Sequence, residues 1–146
     1  MTRTTDSERL LILAVDDDSV IRSLIRAILA QSDDPAIRGA VLREAATLGE
    51  ARRILDTENV DLVLLDVHLP DGLGLELAAE LQHGAADRPA IVALTASVLP
   101  ADQQAALDAG CDAFLAKPYP AAALVAICGE LATRRARALA IRSELP

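Results

Sequence analysis

Three carboxylates, Asp16, Asp17 and Asp18, stand in a row directly behind the aliphatic run at 10–15. A fourth, Asp66, closes the run DLVLLD, Thr95 follows AIVAL, and Lys117 follows AFLA. Carboxylates crowded within a few ångströms cannot all stay ionised cheaply. A hard divalent cation relieves that repulsion, and magnesium prefers oxygen ligands and commonly works with phosphoryl groups. No His or Cys clusters with them, which disfavours zinc. An ammonium and a hydroxyl facing a metal-bound carboxylate suit a phosphoryl group carried on that carboxylate. Phosphoryl transfer needs mainly positioning and charge neutralisation, and an Asp carboxylate is a competent nucleophile. Asp66 is the best candidate, since it ends the most apolar run and leads into HLPDGLG, a loop free to shape itself around a ligand.

These residues are far apart in sequence, so the fold must assemble them. Residues 10–15 predict a strand covered on both faces. Val20, Leu24, Ile28 and Ile21, Ile25 recur at helical spacing over 19–30, and Asp33-Asp34-Pro35 ends that helix. A second strand is expected within 37–45. Thr47 and Glu50 have capping-box spacing and open a helix to Thr57. Residues 61–66 form a third strand and 73–82 a helix closed near Gly84. Residues 90–94 form a fourth strand, and Pro100 opens a short helix that Gly110 closes. Residues 113–116 form a fifth strand, and Pro120 opens a long final helix. Strict alternation of strand and helix implies a parallel sheet with helices on both faces. Ligands bind such sheets beyond the carboxyl ends of the strands. Asp16, Asp17, Asp66, Thr95 and Lys117 all fall there, on one rim. Asp18 is expected to face solvent or to cap the first helix.

Composition bounds the partners. A chain of 146 residues, 52% hydrophobic, fits one domain with a full core. Phe114 and Tyr119 are its only aromatic residues, so that core is aliphatic. The net charge of −8 argues against nucleic acid as a direct partner. Arg134, Arg135 and Arg137 read as a solvated helix face. Cys111 and Cys128 lack metal spacing and read as reduced thiols. The N-terminus has no signal-peptide apolar stretch, and no run is long enough to span a bilayer. A soluble cytoplasmic location is expected.

The stretches AVDDDSVIR, LVLLDVHLPDGLGLEL, ALTA and AGCDAFLAKPY, in that order, resemble the receiver domain of two-component response regulators over 10–131. The resemblance implies an α/β, doubly wound, flavodoxin-like fold with five parallel strands in the order 2-1-3-4-5. It implies that Asp66 is the phosphoacceptor and that Mg2+ is held by Asp16, Asp17 and Asp66 with the His68 backbone carbonyl, Asp17 being a direct ligand. Thr95, with Ala96 after it, and Lys117 match the phosphoryl-binding positions, and Phe114 the aromatic switch position. The Lys117–Pro118 peptide would be cis. Three residues depart from the common pattern. Leu69 precedes Pro70 where Met is frequent. Leu73 stands where an acidic or Asn residue is frequent. Phe114 lacks a Tyr hydroxyl. The side chain of His68 reads as a solvent-exposed bystander and His83 as a surface residue.

The expected organisation is a disordered polar lead at 1–9, a receiver domain at 10–133, and an extension of the last helix or a tail at 134–146. The resemblance implies a phosphorylation-dependent switch rather than an enzyme, catalysing only its own phosphorylation and slow dephosphorylation. Its phosphoryl donor would be a sensor histidine kinase or a histidine phosphotransfer protein. Its output would be a downstream protein target, met through the surface of the fourth helix, fifth strand and fifth helix. Arg22 and Arg26 would lie on the kinase-docking face, and the apolar stripe of the last helix allows a homodimer. Three other readings stay open: a metal-dependent phosphatase or phosphotransferase, a binding module that is never phosphorylated, and one receiver domain of a larger hybrid kinase. His68 stands where the phosphatase reading needs a second carboxylate. The Met1 start and short polar lead point to a stand-alone regulator.

Overall fold

Short aliphatic runs separated by amphipathic segments give the alternation that the sequence predicts, and the computed structural model describes it over residues 9–83 and 88–144. The strands are β1 (Leu11–Val15), β2 (Val41–Ala45), β3 (Leu62–Asp66), β6 (Ala90–Thr95) and β7 (Ala113–Ala116), and they form one sheet in the order β2-β1-β3-β6-β7. Every pairing is parallel. Counted as five sheet strands in chain order, this is the expected 2-1-3-4-5. Two further strands, β4 (His68–Leu69) and β5 (Gly72–Leu73), pair only with each other, antiparallel, in the loop after Asp66.

Side chains alternate across the pleat, so each strand feeds two cores. Leu13, Val15, Val63, Leu65, Ile91 and Ala93 pack with α3 (Leu48–Thr57), α4 (Gly74–Gln82) and α5 (Pro100–Asp108). Ile12, Ala14, Leu62, Leu64, Val92 and Leu94 pack on the other face with α1 (Ser19–Ala30) and α6 (Ala121–Glu144). The central strands are buried on both faces, which is why they read as continuous apolar runs.

The helix ends show how local chemistry sets boundaries. Asp18 is the N-cap of α1, its carboxylate accepting the Val20 N–H at 2.9 Å. Thr47 caps α3 by accepting the Glu50 N–H at 3.1 Å, while Glu50 reaches back to the Ala46 N–H. Asp33-Asp34-Pro35 ends α1, as its turn chemistry predicts, and also starts a new turn, α2 (Pro35–Arg38). Asp34 accepts the Ala36 N–H, and Pro35 occupies the first helical position, where its missing N–H costs nothing. Ile37 is therefore helical and buried, and the second strand expected within 37–45 occupies 41–45.

Two other expectations change. The stripe on α1 is turned by tertiary packing: Ile25 and Leu29 are buried, whereas Val20 and Leu24 are 72% and 53% exposed. Residue Asp61 precedes β3 instead of joining it. One of its carboxylate oxygens accepts the Leu11 N–H at 2.8 Å, and the other accepts Arg135 at 2.7 Å. That second contact fastens α6 beyond residue 133 onto the amino edge of the sheet, and the helix runs unbroken from 121 to 144. Gly84, the expected stop of α4, and residues 1–8 of the lead expected at 1–9 lie outside the described residues, while Arg9 donates to the Gly39 carbonyl at 2.8 Å. Cys111 and Cys128 are free thiols buried in the two cores, pushed up to about 11 and about 12 by burial.

Candidate functional site

The carboxyl edge of the sheet is built from the ends of β1, β3, β6 and β7. Asp16 follows β1 and is held at every polar atom. Its N–H donates to the Ala45 carbonyl at 3.0 Å, and its own carbonyl accepts Arg22 Nη1 at 2.6 Å. Its Oδ1 accepts the Asp18 N–H at 2.9 Å, and its Oδ2 lies 3.3 Å from Lys117 Nζ. With 2% of its surface exposed, this carboxylate is buried and paired, as buried charge must be. Asp17 is exposed beside it.

Asp66 ends β3 and is half-buried. Its Oδ1 lies 3.6 Å from Lys117 Nζ and accepts the His68 N–H at 3.4 Å. Burial pushes the Asp66 carboxyl above its ordinary value; Lys117 pulls it down, and the negative charge of Asp16 pushes it up again. One oxygen from each of Asp16, Asp17 and Asp66 lies within 4.8 Å of the others. Three hard oxygen donors with no imidazole or thiol among them fit Mg2+ or Ca2+ and suit Zn2+ poorly.

Thr95 ends β6 and is buried; its Oγ1 accepts the Ser97 N–H at 3.0 Å, and its carbonyl accepts the Lys117 N–H at 2.7 Å. That main-chain bond brings the lysine from β7 to the rim, where its ammonium sits between Asp16 and Asp66. The Lys117–Pro118 peptide is cis. Ala96 is exposed at the start of the following loop, and the His68 side chain is exposed. Phe114 lies partly buried against the core face that holds Leu13 and Val63. The structure thus gathers Asp16, Asp17, Asp66 and Lys117 at one rim and puts Thr95 at the end of the adjoining strand. Phe114 sits below that rim, partly buried against the core.

Several supporting residues carry no obvious signal in the sequence. Arg22 ties the Asp16 carbonyl to Glu44, to which Arg26 also pairs, so these two arginines are held by a carboxylate and not presented free on α1. The Arg26 guanidinium, with Arg22, holds the Glu44 carboxyl below its usual range. Asp71, in the loop after Asp66, accepts the N–H groups of Leu48 at 2.9 Å and Gly49 at 3.1 Å and so fixes that loop to the N-terminus of α3. These bonds lower the Asp71 carboxyl pKa. The Leu73 N–H donates to Glu76 Oε1 at 2.8 Å, so the unusual Leu73 does not leave that N–H unpaired. Gly74 is required sterically: a Cβ at that position would meet the Asp66 carbonyl oxygen at 2.1 Å. Its spacing from Asp66 was visible, but not its contact.

The arrangement can hold a divalent cation against two or three carboxylates and set an ammonium beside it, with a hydroxyl at the end of the adjoining strand. Comparison with known proteins gives the same direction. The family model of the response regulator receiver domain matches residues 12–128. The KDP operon transcriptional regulatory protein KdpE of Escherichia coli is 36% identical over 108 residues, covering 74% of this chain and 44% of that protein. The aerobic respiration control sensor protein ArcB of Escherichia coli is 38% identical over 121 residues, covering 80% of this chain and 14% of that protein. The chain therefore spans less than half the length of either relative. A response regulator from Burkholderia pseudomallei, solved with a phosphorylated aspartic acid, a calcium ion and citrate, superposes with a TM-score of 0.70 at 28% identity, covering 94% of this chain and 75% of that one. No helix among the described residues is long and apolar enough to cross a membrane. The strand order, the acidic rim and the match across 12–128 together establish that this chain belongs to the response-regulator receiver-domain family of two-component signalling.

Proposed function

We propose that the chain is a phosphorylation-dependent switch that takes a phosphoryl group onto Asp66 from a phosphohistidine of a sensor kinase or phosphotransfer protein. The observation that carries this reading is the meeting of Asp16, Asp17, Asp66 and Lys117 at one rim. An Asp66 oxygen attacks phosphorus, the phosphorus–nitrogen bond of the donor breaks, and the imidazole leaves with the bonding electrons. Asp17, Asp66 and the His68 carbonyl, backed by Asp16, would hold Mg2+. Bound there, the ion supplies charge neutralisation as two anions approach. The Lys117 ammonium balances a phosphoryl oxygen, and the Thr95 hydroxyl donates to another. The chain itself acts only in its own phosphorylation and in slow hydrolysis by water. Its partners are the phosphoryl donor and a downstream protein that reads the surface of α5, β7 and α6. This reading puts the exchange in the cytoplasm.

The phosphorylated aspartic acid and calcium ion of the Burkholderia structure support the same chemistry here. The match to ArcB favours a second setting for it, in which this receiver is one segment of a longer sensor protein; the chemistry at Asp66 is the same. The test is intact-protein mass after incubation with acetyl phosphate and Mg2+. The native chain gains one phosphoryl group, and the Asp66→Ala variant and an EDTA-treated sample gain none. Beryllofluoride uptake covers the case of rapid hydrolysis, and a chain that shows neither response is a binding module rather than a phosphorylated switch.

A further inference from the structure

Hydrogen bonds in the loop between β6 and α5 converge on Ser97. Its N–H donates to Thr95 Oγ1 at 3.0 Å, its hydroxyl donates to Asp102 Oδ2 at 2.6 Å, and the same oxygen accepts the Leu99 N–H at 3.1 Å. Asp102 lies in the first turn of α5. The Thr95 hydroxyl and the start of α5 are therefore one residue apart in a continuous chain of bonds.

That helix needs such a tie. Its N-cap residue, Leu99, offers no side-chain hydrogen bond, and Ala106 is its only buried residue. A helix with so little buried surface is held mainly at its ends. The bond between Ser97 and the Asp102 carboxylate is charge-assisted and short, hence among the stronger ones available. It also closes the turn that carries Val98 and Leu99, whose side chains are 69% and 61% exposed.

We propose that Ser97 and Asp102 form a latch that holds this loop and the first turn of α5 in the unphosphorylated arrangement, and that phosphorylation opens it. This rests on the reading of Asp66 as phosphoacceptor. When the Thr95 hydroxyl turns to a phosphoryl group on Asp66, the Ser97 N–H loses its acceptor. A partly buried main-chain donor that has lost its acceptor favours a loop arrangement that pairs it again. Motion of Ser97 carries its hydroxyl away from Asp102, so the latch is the bond that gives. Opening it frees the start of α5 and re-aims Val98 and Leu99. Ser97 is thus a positioning residue, acting through Thr95 and Asp102 and not on phosphorus.

The test is amide hydrogen exchange of peptides within 96–108, with Mg2+ alone and with Mg2+ and beryllofluoride. In the native chain, exchange at 97–103 rises about tenfold on adding beryllofluoride, as expected for loss of one strong local tie. Ser97→Ala and Asp102→Ala already exchange at that rate with Mg2+ alone and rise no further, while Ser97→Thr keeps the hydroxyl and behaves as the native chain. If both alanine variants exchange like the native chain with Mg2+ alone, or keep the full beryllofluoride response, the latch is wrong. Acetyl phosphate labelling of the same samples separates the two claims. Labelling with an unaltered exchange pattern overturns only the latch, whereas no labelling and no beryllofluoride uptake overturns the phosphorylation reading and the latch with it.

Discussion

Replacing Asp66 with Asn should stabilise the metal-free chain at neutral pH. Burial is the main cause that disfavours the Asp66 charge, and the negative charge of Asp16 adds to it. The ammonium of Lys117, 3.6 Å from Asp66 Oδ1, offsets part of that cost. Burial and Asp16 together outweigh the lysine, so removing the charge stabilises the metal-free fold by about 1 kcal/mol, the scale of a typical single substitution. In a domain of this size the gain corresponds to about 3 °C in Tm. The sign with pH follows from the raised Asp66 pKa. A carboxyl whose folded value lies above its unfolded one favours folding most when protonated, below the unfolded value of 3.8, and that advantage is lost as pH rises through the folded value. The Asn variant therefore leads at pH 7.5, and its lead shrinks to nothing as pH falls below about 4. Saturating Mg2+ inverts the order. At a hundredfold excess over Kd it stabilises the native chain by about 2.7 kcal/mol, while the variant, short of one charged ligand, gains much less. Thermal melts at two pH values, with and without Mg2+, read all of this. An Asn variant less stable than the native chain in EDTA at pH 7.5, or Mg2+ stabilising both equally, would refute the reasoning.

Other consequences are more local. Arg135→Ala removes the 2.7 Å bond to Asp61 and the bond to the Arg88 carbonyl; both charged side chains are mostly covered, so unfolding free energy drops by about 1–2 kcal/mol in denaturant titrations. Gly74→Ala drives a methyl into the Asp66 carbonyl and should cost at least about 2–3 kcal/mol, with acetyl phosphate labelling slowed, because the nucleophile's own main chain must shift. Cys111 and Cys128, with thiols raised to about 11 and about 12, should resist an aromatic disulfide reagent at pH 8 until denaturant is added; rapid native-state reaction would contradict their burial.

The strands were legible because a strand buried on both faces is an uninterrupted aliphatic run, and their carboxyl ends were legible because Asp16, Asp66, Thr95 and Lys117 interrupt those runs with chemistry. Asp18 as a cap and the Thr47–Glu50 pair could be read because capping is local. Facing and long-range pairing could not. The apolar positions of α1 form a stripe wide enough that periodicity does not say whether Leu24 or Leu29 faces the sheet; packing against α6 decides it. Asp61 looked like the first residue of a strand because its partners, Leu11 and Arg135, lie 50 and 74 residues away. Asp71 sat in an ordinary Pro-Asp-Gly turn, and nothing in that turn points to the N-terminus of α3. Ser97 had a faint signal, a hydroxyl two residues after Thr95 and just before a proline-started helix lacking a capping side chain, but its tie to Asp102 needs coordinates.

The central claim is that one carboxylate, Asp66, carries the phosphoryl group. Acetyl phosphate labelling with Mg2+, followed by borohydride reduction and tandem mass spectrometry, tests it directly, because borohydride converts an aspartyl phosphate to homoserine. Homoserine at position 66 and nowhere else is the predicted result. Homoserine at 16 or 17, or a borohydride-resistant phosphoryl group on His68, Thr95 or Ser97, would contradict the account.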